Sequence, residues 1–283
     1  MRHTTSFSTI AASIAAIAFG SSAASAADMA PRYTKAPPMV TAYSWTGCYV
    51  GVNGGYGWGD NHSALRPSPD AASQAFWNPA FNAGAAPSLF SYTNSGGVAG
   101  GQLGCNWQSG QFVFGGEADI DWANLKGSQS INTAGVAGFV PGFFSSSSNL
   151  QWLGTVRGRI GFSPAAADHW LFYATGGLAY GSVNYNTSFA FPTTLDFQNL
   201  ASTNTQAGWT AGAGVEWAFA NNWTVKAEYL YVDLGNRTFT TVASGRAANL
   251  ATTLTDTFSN RYNIVRVGFN YKFNWAGPVV AKY

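Results

Sequence analysis

Charge is what this chain has least of. Asp, Glu, Lys and Arg make up only 9 % of its 283 residues, where a soluble domain carries roughly 25 %. A surface so poor in charge faces water badly, unless much of it faces lipid. Long apolar runs are missing too. Beyond the N-terminus no stretch of about 18 apolar residues occurs, which excludes a transmembrane helix. The formal net charge is +2, and no basic patch offers a surface to nucleic acid. With three histidines, acid–base catalysis has few candidates. What the chain does hold in excess is glycine, 33 residues, and tryptophan, 11. The length admits one β domain or two small domains.

The N-terminus reads as a secretory signal. Arg2 and His3 form a short polar region, Ile10–Phe19 is apolar, and Ala24-Ser25-Ala26 offers a small-residue cleavage site, placing cleavage after Ala26. Residues 27–44 are Pro-containing and unpatterned, an extended periplasmic lead-in.

From Trp45 a period of two takes over, and it is clearest at the end. Val265, Val267, Phe269, Tyr271 and Phe273 alternate with Arg266, Gly268, Asn270 and Lys272, one apolar and one polar strand face. Seven earlier segments repeat it. The first starts at Trp45, with Cys48, Val50, Val52, Tyr56 and Trp58 on its apolar face. The others span residues 96–108, 111–122, 150–162, 170–182, 207–219 and 223–234. On 150–162 the apolar face is Leu150, Trp152, Val156, Ile160 and Phe162. Connections are short after the second, fourth and sixth strands and long after the others, with the long loops at residues 61–92, 124–149, 184–205 and 235–260. Short turns on one side and long loops on the other are the habit of outer-membrane barrels. An even strand count brings both termini to the periplasm. Aromatics such as Trp58, Trp107, Trp122, Trp152, Tyr180, Trp209 and Trp223 stand at the ends of the apolar faces, where interfacial girdles lie. A soluble lipocalin-like barrel would not place them outside. The expected fold is all-β: an eight-stranded antiparallel up-and-down transmembrane barrel over 45–273, with four long extracellular loops and a tail at 274–283.

Several blocks resemble a known family. Trp45–Gly59 reads W-T-G-C-Y-V-G-V-N-G-G-Y-G-W-G, Gly100–Gln108 reads G-G-Q-L-G-C-N-W-Q, and Tyr173–Gly181 reads Y-A-T-G-G-L-A-Y-G. The ending is V-G-F-N-Y-K-F, then N-W-A-G-P-V-V-A-K-Y. Together they are similar to the small porin-like outer-membrane surface antigens of alphaproteobacteria, as in Brucella and rhizobia. The resemblance spans the strands of the mature chain, not the loops. It implies a surface protein contributing to envelope integrity, with no cofactor and no catalytic residues. The partners implied are outer-membrane lipid, lipopolysaccharide and the barrel-assembly machinery, and the expected state is a monomer. Phe273 fills the place of the terminal aromatic that resembles an assembly signal, although ten residues follow it.

The inward face gathers charge. Glu117, Asp119, Asp121, Glu216 and Glu228 are matched by Arg157, Arg159, Lys226, Arg266 and Lys272. Buried charge must be paired, and opposite charges on neighbouring strands can form a ladder. An ion pathway and a polar core are the two readings. An eight-stranded interior is just wide enough for side chains to fill, which favours the core. Three acids on one strand lack the loop and glycine of a calcium motif, so no metal is expected. The glycines at 51, 54, 55, 57 and 59 mimic a phosphate loop but lead into a Pro-containing loop, and more simply make room in a narrow barrel. His62-Ser63 is the one candidate for a catalytic pair. Cys48 and Cys105, on the outward faces of neighbouring strands, can bridge in an oxidising compartment if register opposes them. Aromatics in the loops (Trp77, Phe81, Phe90, Phe143 and Phe144) leave a ligand- or host-binding role as an alternative, beside a small-solute porin.

Overall fold

The computed structural model describes residues 42–136, 138–192, 196–242 and 252–273. The signal segment, most of the lead-in and the tail after Phe273 lie outside the described residues. Eight strands follow one another around a ring: β1 (Gly47–Pro67), β2 (Leu89–Ser109), β3 (Phe112–Thr133), β4 (Gly142–Phe162), β5 (Trp170–Phe191), β6 (Asp196–Ala220), β7 (Trp223–Val242) and β8 (Thr253–Phe273). Each pairs antiparallel with its chain neighbours, and β1 pairs with β8 to close the barrel. Across the membrane band closure leaves no unpaired strand edge, which lipid would not tolerate, while above it β6 and β7 pair only as far as Trp209 and Asp233. The β2–β3 turn needs a left-handed residue, and Gly110 supplies it at φ 62°. A 3-10 turn over Ala165–Ala167 lies between β4 and β5.

The strands are 20–25 residues long, about twice what a bilayer needs. Much of what the sequence marks as loop is therefore strand, rising beyond the membrane band, and the β5–β6 connection shrinks to residues 192–195. Alternation does not stop there; its polarity reverses. Across the lower band Val52, Leu103, Ile120, Trp122, Leu178 and Val267 face outward and exposed. Across the upper band the outward positions are Ser91, Ser128, Asn186 and Thr240, while Leu65, Phe90, Phe144, Phe189 and Leu254 point inward and are buried. Bulges interrupt the register between Trp122 and Leu125 and between Leu150 and Trp152. An extra residue moves later side chains to the other face. That is why Leu150, expected on the lipid face, is wholly buried inside.

The first long connection is also not all loop. It holds α1 (Ala71–Asn82), capped by Asp70, whose carboxylate accepts from the Ser73 amide at 2.7 Å and so satisfies an otherwise orphaned donor. Trp77 of α1 is buried among side chains from β1, β2, β4, β5 and β8, with Phe189 at 5.8 Å between ring centroids. At the short-turn end, Tyr43 and Trp45 fold inward against Val113, Leu171, Tyr173 and Ala218. The Trp45 indole donates to Ser163 Oγ and the Asp168 carbonyl, at 3.1 and 2.9 Å.

Candidate functional site

Inside the lower band, alternate residues of β3, β4, β6, β7 and β8 converge. Glu117 lies opposite Arg157, Glu216 opposite Lys226, and Glu228 opposite Arg266, three opposite-charge pairs on neighbouring strands. The contacts also run as chords across the ring. Lys226 on β7 reaches Glu117 on β3 at 2.7 Å, and in a ring of eight these strands are diametrically opposed. Arg266 contacts Asp119, Asp121 and Glu228 at 2.8, 2.7 and 2.8 Å. Arg157 binds Glu117 at 2.5 Å, Asp119 at 2.7 Å and Glu228 at 3.0 Å. Arg159 holds Glu216 at 2.7 Å. All nine residues are buried. Gly55 sits opposite Arg266 in register. A Cβ there would come within 2.7 Å of Arg266 Cβ, so the inward glycine makes room for the guanidinium's stem.

Lys272 lies apart from this set. It is buried at the short-turn mouth, where its ammonium donates to the Ser44 carbonyl and lies 4.1 Å from the Tyr43 ring centre. Five acids therefore face four bases in the network, and neutral donors add to the ion pairs. Tyr49 donates to Glu117 at 2.6 Å, Tyr173 to Glu228 at 3.0 Å, Thr224 to Glu216 at 2.5 Å and Asn270 to Glu216 at 2.9 Å. Arg159 also lies over the Tyr173 ring, 3.9 Å from its centre, a contact stronger when desolvated. The tyrosines escaped the sequence reading, although strand parity puts Tyr49 with Gly51 and Tyr173 with Thr175.

Register opposes Cys48 to Cys105 directly, and a disulfide joins them. Phe273 ends β8, half-exposed on the outer face. The glycines at 51–59 all lie within β1, and α1 begins well beyond them, so they do not open a helix. His62 and Ser63 are parted by the strand itself. His62 faces out, while Ser63 is buried inside and donates to Asp256. Of the loop aromatics, Trp77, Phe90 and Phe144 are buried, Phe81 is partly buried, and only Phe143 stands exposed.

An apolar exterior in lipid-crossing strands, rims of aromatics and charge turned inward define a transmembrane β-barrel of the outer-membrane class. Residues 12–273 match the outer membrane protein beta-barrel domain family, and the chain belongs to it. It is 36 % identical over 269 residues to the 31 kDa outer-membrane immunogenic protein of Brucella melitensis, covering 94 % of this chain and 99 % of that protein. It is 31 % identical to the 22 kDa outer membrane protein of Rhizobium leguminosarum, over 83 % of this chain and 82 % of the other. Among solved structures, OprG of Pseudomonas aeruginosa matches with a TM-score of 0.47 at 13 % identity, over 82 % of this chain and 98 % of that one. The protein is placed in the outer membrane of a Gram-negative bacterium.

Proposed function

We propose that the chain is a structural outer-membrane surface protein, contributing to envelope integrity, whose interior neither conducts nor catalyses. The observation that carries this reading is the chord from Lys226 to Glu117 across the full width of the ring, braced by Arg157 and Arg266. A passing ion would have to displace paired charges from a dry interior, and breaking such a pair costs about 3–5 kcal/mol. The Trp77 cluster at one end and Trp45 at the other support the same reading. So does the division of His62 and Ser63 between opposite faces of the wall. Outer-membrane lipid then surrounds the apolar band, and Phe273 is the residue that the barrel-assembly machinery would read.

The test is single-channel conductance of the refolded, signal-free chain in a planar bilayer. A closed record from folded, inserted protein is expected. Steady, reproducible openings would overturn the proposal in favour of a small-solute porin, and Arg157→Gln and Glu117→Gln should then change its ion selectivity.

A further inference from the structure

Just above the aromatic rim, the outer wall of β3, β4 and β5 carries a polar groove of about 560 Å³. Register builds it in two rows. Lys126, Asn149 and Asn184 lie side by side across the three strands, and Ser128, Ser147 and Asn186 form the row above. All six line the groove. Below it stand Trp122 and Trp152, paired in register, and Tyr180, whose ring is 5.8 Å from that of Trp152. The two β-bulges fall between this aromatic shelf and the polar rows, where a bend re-aims side chains.

The groove has one cation and no acid. Lys126 is exposed and takes part in none of the ion pairs among the described residues. Around it are amides and hydroxyls, with Asn186 already donating to Asn184 at 3.0 Å. Amide and hydroxyl groups suit sugar hydroxyls, an ammonium suits a phosphate, and the volume is that of a small-molecule site. The aromatic shelf marks the bilayer boundary directly beneath. The occupant must therefore be anionic, rich in hydroxyls and fixed at headgroup height.

We propose that this groove binds the phosphorylated sugar headgroup of an outer-leaflet glycolipid. Lys126 holds the phosphate, the asparagines and serines hold the sugar, and Trp122, Trp152 and Tyr180 border the acyl chains. The proposal rests on the outer-membrane placement and is independent of whether the interior conducts.

The test uses the refolded signal-free chain in nanodiscs, with folding first verified by heat-modifiable gel mobility, so that a failed barrel is distinguished from a failed site. Bound bis-phosphorylated lipid A is counted by native mass spectrometry. Lys126→Ala should weaken retention about tenfold, the size of one charge-assisted hydrogen bond, and Asn149→Asp should weaken it as much through repulsion. Arg66→Ala, which changes an exposed base elsewhere on the outer wall, should leave it unchanged. Equal retention by wild type and Lys126→Ala would overturn the proposal. So would an equal loss in Arg66→Ala, or equal competition by phosphatidylglycerol, since either reduces the effect to general charge.

Discussion

The lower and upper bands of this barrel use one backbone pattern with opposite chemistry. Below the rim, apolar residues such as Ile120 and Val267 face out, while Arg266 and Glu117 face in. Above it, Thr240 and Asn186 face out, while Phe144 and Phe189 face in. The β5–β6 ladder runs unbroken through both bands, although β6 and β7 pair only as far as Trp209 and Asp233. Only the surroundings change, from lipid to water, and the side chains invert to match. The lower band is held by charge pairing in a place where solvent cannot help, the upper by burial of apolar surface as in a soluble sheet.

The sharpest way to break this contrast is to remove Arg266. It touches Asp119, Asp121 and Glu228, so Arg266→Met leaves the buried Asp121 without a cation and leaves Asp119 and Glu228 to Arg157 alone. The expected loss is about 3–5 kcal/mol, read as a lower urea midpoint for unfolding from micelles. A loss below about 1 kcal/mol would mean that the network is solvated and that the lower band is not a dry core.

The same contrast explains what the sequence could and could not reveal. The lower strands were legible because lipid outside and charge inside give maximal contrast at period two, as Val265–Phe273 shows. The upper strands were hidden because outward Ser, Thr and Asn resemble loop residues, and their inward partners are spaced singly. Phe90 and Phe144 thus read as loop aromatics, when strand parity makes them core. Leu150 was misplaced because a bulge leaves no local signature. Lys272 was counted with the network because parity gives the face of a residue but not its height in the barrel. The disulfide needed register, which two strands with long connections do not specify.

A smaller effect sharpens the boundary between the bands. Val267→Arg places a charge on the lipid face and should cost about 2–4 kcal/mol near the bilayer midplane. Thr240→Arg places the same charge on the exposed outer face of the upper band and should change stability by less than about 0.5 kcal/mol. Both are read by reversible unfolding in vesicles. Equal costs would move the membrane boundary upward and put the Thr-rich wall in lipid.

The smallest effect tests the upper interior, where Asp256 is the one buried carboxylate among the described residues. It lies well above the aromatic rim, fully buried, and accepts from Ser63 and from Thr187, the latter at 2.6 Å. Burial pushes its carboxyl above the ordinary 3.8, and the two hydroxyl donors offset only part of that. Below 3.8 the group is protonated in both folded and unfolded chains and adds no pH dependence. Above that value the unfolded chain releases the proton first, so stability falls as pH rises until the folded carboxyl also ionises. Asp256→Asn removes the titrating group and keeps a carbonyl acceptor for a hydroxyl. The difference in unfolding midpoint between variant and wild type should therefore be small at pH 3 and should grow in favour of the variant toward neutral pH. A variant less stable by the same margin at both pH values would show that the two hydroxyls need the second carboxylate oxygen as an acceptor, whatever its charge. The upper band would then hold a polar anchor chosen for its geometry, and its likeness to a soluble core would stop at that residue.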